Sequence, residues 1–136
     1  IILDGLHVYR AAFDVARRAI PKLYSVTDAT AASGMPDGDY MLGSLSVHKE
    51  NGRVLLPDGT TAGSCLTQTK VISLMRRWDI DWHTIGAMSS AIPAAWIKND
   101  VLGNIAPGAT AHCLEDRGDE PVALWLAGQR RSSVKA

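Results

Sequence analysis

At 136 residues with 46% hydrophobic content, the chain is long enough to bury one sizeable core and too short for two large domains. Its 14 lysines and arginines balance 14 aspartates and glutamates, so no net field gathers nucleic acid or anionic lipid, and neither is expected as a partner. No apolar run approaches membrane-spanning length and nothing resembles a signal peptide; Cys65 and Cys113, far apart and without Cys-x-x-Cys spacing, fit reduced thiols in a cytoplasmic protein.

The chain opens on Ile1-Ile-Leu-Asp-Gly-Leu-His7, a β-prone run that closes on a glycine and an imidazole. It begins inside a strand with no cap or leading loop, as a piece of a longer polypeptide would. Tyr9, Ala12, Phe13, Ala16 and Ile20 then recur at helical spacing, with Arg10, Asp14, Arg17 and Arg18 on the other face, and Pro21 ends the predicted helix. A second β-prone run, Tyr24-Ser-Val-Thr-Asp-Ala-Thr30, predicts a buried strand whose last residue, Asp28, emerges at the sheet's edge. Strand, helix, strand, each strand closing on a polar group, is how α/β enzymes present catalytic side chains.

Ala31-Ala-Ser-Gly-Met-Pro-Asp-Gly-Asp39 reads as a loop above the strand ends. The period then becomes two: Tyr40 and Leu42, Leu45 and Val47, and Val54 and Leu56 alternate with polar or small neighbours. Asn51-Gly52 supplies the positive φ angles of a tight turn, so a small antiparallel hairpin insertion is predicted. A second loop, Pro57-Asp-Gly-Thr-Thr-Ala-Gly-Ser64, feeds a helix striped by Val71, Leu74, Met75 and Trp78, with Ser64 as its cap. A further helix starts at Asp81 and carries Trp82, Ile85 and Met88, and Pro93 opens another short one through Trp96. Ile105-Ala-Pro-Gly108 is a turn; residues 111–114 and 122–126 read as two short strands, and the polar end from Gln129 as frayed.

Each candidate for chemistry has a bland counterpart. An aspartate at a strand end more often caps a helix or forms a turn than catalyses, and a histidine after Asp-Gly commonly satisfies a local hydrogen bond. His48, His83 and His112 lack metal-ligand spacing and read as solvated or structural. Cys65 shows no partnered base and reads as a small buried filler. Thr60-Thr-Ala-Gly-Ser64 either takes an anion through backbone N–H groups or is an ordinary capped turn, and the tryptophans read as core.

The combination is more specific than its parts. Asp4-Gly-Leu-His7, Val26-Thr-Asp-Ala29 with Ala32-Ser-Gly-Met-Pro-Asp-Gly-Asp-Tyr40, Asp58-Gly-Thr-Thr-Ala-Gly-Ser-Cys-Leu-Thr67 and Gly103-Asn-Ile-Ala-Pro-Gly108 together resemble the C-terminal part of N-acetylglucosamine-6-phosphate deacetylases, of the amidohydrolase superfamily. The resemblance runs in order across almost the whole chain. It implies an α/β fold: the last strands and helices of a (β/α)8 TIM-type barrel over residues 1–103, with a β-hairpin insertion, and terminal strands of a small β-sandwich domain over residues 104–136.

The resemblance further implies that Asp28 is the general base and acid and that His7 hydrogen-bonds the sugar. Asp4 and Gly5 shape the turn at His7, and Thr61, Ala62, Gly63 and Ser64 form a loop closing over the substrate, N-acetylglucosamine 6-phosphate. A divalent metal, zinc or iron, serves the family, but its ligands, a glutamate and two histidines, belong to earlier strands not in this chain, which is expected to touch the metal at most indirectly through Asp28. Two departures from the family pattern stand out: Ile92 before Pro93 where asparagine is usual, and Ala111-His112 where Ala-Asp is common. About three barrel strands cannot close a barrel, so the chain is expected to associate, with the missing N-terminal half or as a homo-oligomer, and to be inactive alone. A non-catalytic remnant and an interaction module are the alternatives.

Overall fold

The computed structural model describes residues 1–116 and 121–131. Its two N-terminal apolar runs lie side by side in parallel. Ile2 bridges Val26, the Ile1 ammonium donates to the Tyr24 carbonyl at 2.8 Å, and the Val26 N–H donates to the Ile1 carbonyl at 3.0 Å. Farther along, Ala29 bridges Ser64 in parallel, through Ser64 N–H to the Asp28 carbonyl and Thr30 N–H to the Ser64 carbonyl, both 2.9 Å. The predicted second strand is therefore not one continuous element. At Asp28 the main chain turns left-handed, with φ 53°, and the run changes neighbours from residue 2 to residue 64.

Helix α1 (Arg10–Ala19) connects the two runs as predicted, but the expected apolar stripe is mostly uncovered. Only Phe13 is buried, against Trp78 at 5.4 Å between ring centroids, while Tyr9 and Ile20 are exposed. The core reaches this helix through that one side chain, with Arg10 closing the end by donating to the Trp78 carbonyl and pairing with Asp14 at 2.7 Å.

The alternating segment forms a four-stranded antiparallel sheet in chain order: β1 (Gly38–Leu42), β2 (Leu45–Glu50), β3 (Arg53–Leu55) and β4 (Thr61–Ser64). Asn51 and Gly52, at φ 50° and 77°, make the β2–β3 reversal that their sequence requires. The fourth strand corrects the sequence reading, which had placed residues 61–64 in a loop. With two glycine- and alanine-sized side chains the segment has no β-prone signature, and pairing with β3 on one side and residues 28–30 on the other makes it a strand.

Ser64 accordingly does not cap the next helix. Thr67 does, accepting from the Lys70 N–H at 3.3 Å at the start of α2 (Gln68–Arg77), whose Val71 and Met75 are fully buried as predicted. Asp81 caps α3 (Trp82–Gly86), accepting from the Thr84 N–H at 2.9 Å. The short helix expected from Pro93 through Trp96 is α4 (Ile92–Trp96), with the proline in its first turn. α3 runs into it through one π turn (Ala87–Ala91), and the wider turn sits where the proline lacks a donor to the preceding turn. Nor are all the tryptophans core: Trp82 and Trp96 are exposed, Trp82 lying under the Arg76 guanidinium at 4.5 Å.

Two apolar clusters result. Leu3, Phe13, Leu66, Val71, Met75, Ile80, Ile85 and Met88 pack between the parallel runs and the helices, and Ala32, Val47, Val54 and Cys65 pack against the antiparallel sheet. Cys65 is thus the buried filler expected. A second antiparallel sheet joins β5 (Cys113–Asp116), β6 (Pro121–Leu126) and β7 (Gln129–Arg131). β5 starts two residues later than predicted, and residues 129–131 pair with β6 instead of fraying; residues 132–136 lie outside the described part.

Gly103, from the last of the family-like motifs, touches the π turn. A Cβ there would lie 2.6 Å from the Ala94 Cβ and 3.0 Å from the Ser90 carbonyl oxygen, and its φ is +85°. Gly103→Ala is expected to lower folding stability by roughly 2–4 kcal/mol in urea unfolding, combining strain and overpacking. Gly52→Asn, whose site is open and whose residue type tolerates positive φ, is expected to cost far less. Equal losses would contradict this packing account.

Candidate functional site

The predicted residues converge where the parallel runs meet the antiparallel sheet. Asp4 folds the chain back on itself: its Oδ1 accepts from the Leu6 and His7 main-chain N–H groups, both at 2.8 Å, and its Oδ2 meets the His7 Nδ1 at 2.6 Å. Gly5, at φ 77°, supplies the turn that lets one carboxylate do this. The Asp4 side chain is 10% exposed and the His7 side chain 26%, so the imidazole is held through Nδ1 and stays partly accessible. Burial works to raise the Asp4 pKa, but the hydrogen bonds from the His7 main chain and ring and from Leu6 together outweigh it, and the carboxyl sits below its ordinary 3.8.

A polar cleft of about 180 Å³ opens beside this turn, lined by Asp4, Leu6, His7, Tyr9, Gly52, Arg53, Thr61, Gly63 and Ser64. Of the residues singled out from sequence, Asp4, His7, Thr61, Gly63 and Ser64 line it together; Gly5, Ala62 and Asp28 do not. Asp28 stands just behind. A Cβ on Gly63 would lie 3.6 Å from Asp28 Oδ2 and 3.4 Å from the Asp28 carbonyl oxygen, so the carboxylate packs close to Gly63, a residue that lines the cleft.

Asp28 is exposed and held in the left-handed region, which costs a non-glycine residue about 1–3 kcal/mol and is tolerated best by aspartate and asparagine. The hydrogen bonds of its neighbours to Ser64 hold it there: besides the two main-chain bonds, the Ser64 hydroxyl donates to the Thr27 carbonyl and accepts from the Leu66 N–H at 3.0 Å. Ser64 itself is 2% exposed, with both hydroxyl functions satisfied.

Tyr9 and Arg53 were not singled out for this site. The helical spacing places Tyr9 on a helix face, and Arg53 reaches the cleft through the β3–β4 pairing, a long-range register with no local signal. The other histidines stay apart, as expected: His48 pairs with Asp39 at 2.7 Å across β1 and β2, and His83 lies in α3. Among the described residues no three histidines, cysteines, aspartates or glutamates cluster as a metal site would require, and no helix is long and apolar enough to cross a membrane.

Fold and site define an α/β protein with a polar cleft at the ends of adjoining parallel segments. No protein-family model matches the chain. It is 34% identical over 133 residues to the N-acetylglucosamine-6-phosphate deacetylase of Vibrio furnissii, covering 95% of this chain and 33% of that protein. It is 33% identical over 136 residues to an Escherichia coli K12 protein named "Putative N-acetylgalactosamine-6-phosphate deacetylase", covering 97% of this chain and 81% of the relative. The crystal structure of N-acetylglucosamine-6-phosphate deacetylase from Thermotoga maritima matches with a TM-score of 0.90 at 28% identity, over 98% of this chain and 38% of that one. The chain belongs to the N-acetylglucosamine-6-phosphate deacetylase family. It spans about a third of the length of the Vibrio enzyme.

The Asp4 turn has a measurable pH signature. Because its carboxyl is depressed in the folded state, its stabilising contribution is fully present above 3.8 and disappears as the pH falls through the lower folded value. The stability advantage of wild type over Asp4→Asn in urea unfolding is therefore expected to be full at neutral pH and to shrink as the pH is taken below 3.8. An advantage unchanged over that range would contradict the assigned hydrogen bonds.

Proposed function

We propose that this chain carries the proton-transfer and sugar-holding part of the active site for hydrolysis of the N-acetyl group of N-acetylglucosamine 6-phosphate, giving glucosamine 6-phosphate and acetate. The observation that carries this reading is the placement of Asp28 close to Gly63, which lines the cleft together with His7 and Asp4. It is supported by the family and by relatives named for this substrate.

Asp28 takes a proton from the water that attacks the acetyl carbonyl and delivers one to the nitrogen as the C–N bond breaks, so acetate leaves and the amine stays on the sugar. His7, oriented by Asp4, donates or accepts at its free nitrogen toward a sugar hydroxyl and keeps the amide in register with Asp28, where a small misplacement is costly. Thr61, Gly63 and Ser64, held in β4 rather than in a mobile loop, form a fixed wall. The residues present do not by themselves fit the divalent metal that the family implies, so no step is routed through one; its ligands would come from the part of the relatives that this chain does not span.

In this reading the parallel segments around Ile2, Val26 and Ser64 are late strands of a (β/α)8 barrel occupying residues 1–103, and β5 to β7 belong to a small β-sandwich over residues 104–136. The protein works in the cytoplasm, which the free thiols of Cys65 and Cys113 suit. The apolar side chains left exposed on α1 and α4, among them Val15 and Trp96, are covered by the remaining length of the enzyme or by another copy.

The test is deacetylation of N-acetylglucosamine 6-phosphate with added divalent metal, by this chain alone and joined to the rest of a relative's sequence. The joined form is expected to turn over and to lose roughly 10²- to 10⁴-fold in kcat on Asp28→Asn. Wild-type turnover by the Asp28→Asn form would refute the assigned role.

A further inference from the structure

The polar groups of the cleft suit the hydroxyls at a sugar's edge, but a pyranose ring also has faces of C–H groups that need an apolar neighbour. Of the side chains lining the cleft only Leu6 and Tyr9 are large and apolar, and Tyr9 alone carries a phenyl-type ring. Resting on the deacetylase reading above, we propose that Tyr9 is a substrate-binding residue, the aromatic platform on which the ring of the hexosamine stacks.

The backbone delivers the phenol to this wall. Tyr9 is extended, at φ −77° and ψ 159°, and ends the short segment between the Asp4 turn and α1. In an extended chain alternate side chains share a side, and the segment obeys this: Val8 packs against the larger apolar cluster while His7 and Tyr9 both line the cleft. The segment is anchored at both ends. The His7 N–H donates to Asp4 Oδ1, and the Tyr9 carbonyl accepts from the Phe13 N–H at 3.0 Å in the first turn of α1, which the fully buried Phe13 ties to the core.

The phenol itself takes no part in holding the fold. It stands at the N-cap position without capping the helix, it is 72% exposed, and among the described residues no hydrogen bond or ring contact engages it. Tyrosine has only two side-chain torsions to fix, so it presents a large rigid face at little entropic cost while its hydroxyl stays in water. His7 would then hold the sugar at its edge and Tyr9 at its face, leaving the amide to Asp28. Because the stacked face is remote from the bond that breaks, the contact is made equally in the ground and transition states.

The experiment is steady-state deacetylation of N-acetylglucosamine 6-phosphate by the form joined to the rest of a relative's sequence, as wild type, Tyr9→Leu, Tyr9→Phe and Asp28→Asn, with urea unfolding of each. Tyr9→Leu, which keeps apolar bulk but loses the ring, is expected to raise KM roughly 3- to 10-fold with kcat and the unfolding midpoint held, and Tyr9→Phe to recover the wild-type KM. An unchanged KM in Tyr9→Leu overturns the proposal and leaves the deacetylase reading intact. So does a Tyr9→Phe form as impaired as Tyr9→Leu, which would assign the contact to the hydroxyl, or a KM rise accompanied by a lowered unfolding midpoint, which would assign the side chain to the fold. Absence of turnover in the wild type, or wild-type turnover by Asp28→Asn, overturns it together with the reading on which it rests.

Discussion

The arrangement depends on one small buried residue with hydrogen bonds on every side. Ser64 gives its N–H and carbonyl to residues 28 and 30, stands opposite Arg53 in the antiparallel sheet, and spends its hydroxyl on Thr27 and Leu66. A buried polar group left unpaired costs about 1–3 kcal/mol, so a side chain that satisfies all of these at once strongly restricts how the two sheets can meet. That junction keeps Asp28 in its left-handed conformation and sets the following residues, Cys65 and Leu66, into separate core clusters. Gly63 beside it has no side chain because Thr30 Cγ2 would lie 2.8 Å from any Cβ there.

Two differently held groups lie near this junction: a carboxylate on a left-handed main chain, and an imidazole tied to an adjacent carboxylate. The proposed function gives proton transfer to the first and sugar binding to the second. The relatives named for glucosamine and for galactosamine substrates match this chain almost equally, at 34% and 33% identity. Overall likeness therefore does not distinguish between the two sets of relatives.

What could be read from sequence was what local chemistry dictates. The Asn51-Gly52 turn, the helix start at Asp81 and the Val71 and Met75 stripe each rest on a side chain or a φ requirement within a few residues, and each is present. What depends on distant partners was not legible. Residues 61–64 become a strand only by pairing on both edges; the apolar face of α1 reads as core though the described residues cover only Phe13; and Arg53, an unremarkable cation after a turn, joins the cleft through register alone. The role of Asp28 was suggested by motif resemblance, since a single aspartate at a strand end more often serves a turn, and the structure adds the geometry that puts it behind Gly63.

The central claim is that Asp28 and the Asp4-oriented His7 act on one bound sugar rather than at two unrelated places. A double-mutant cycle in kcat/KM for N-acetylglucosamine 6-phosphate deacetylation, using Asp28→Asn, His7→Gln and the pair in the form joined to the rest of a relative's sequence, measures this most directly. Joint action predicts that the double variant loses clearly less than the product of the two single losses. Losses that multiply in full would show the two residues working independently and contradict the account.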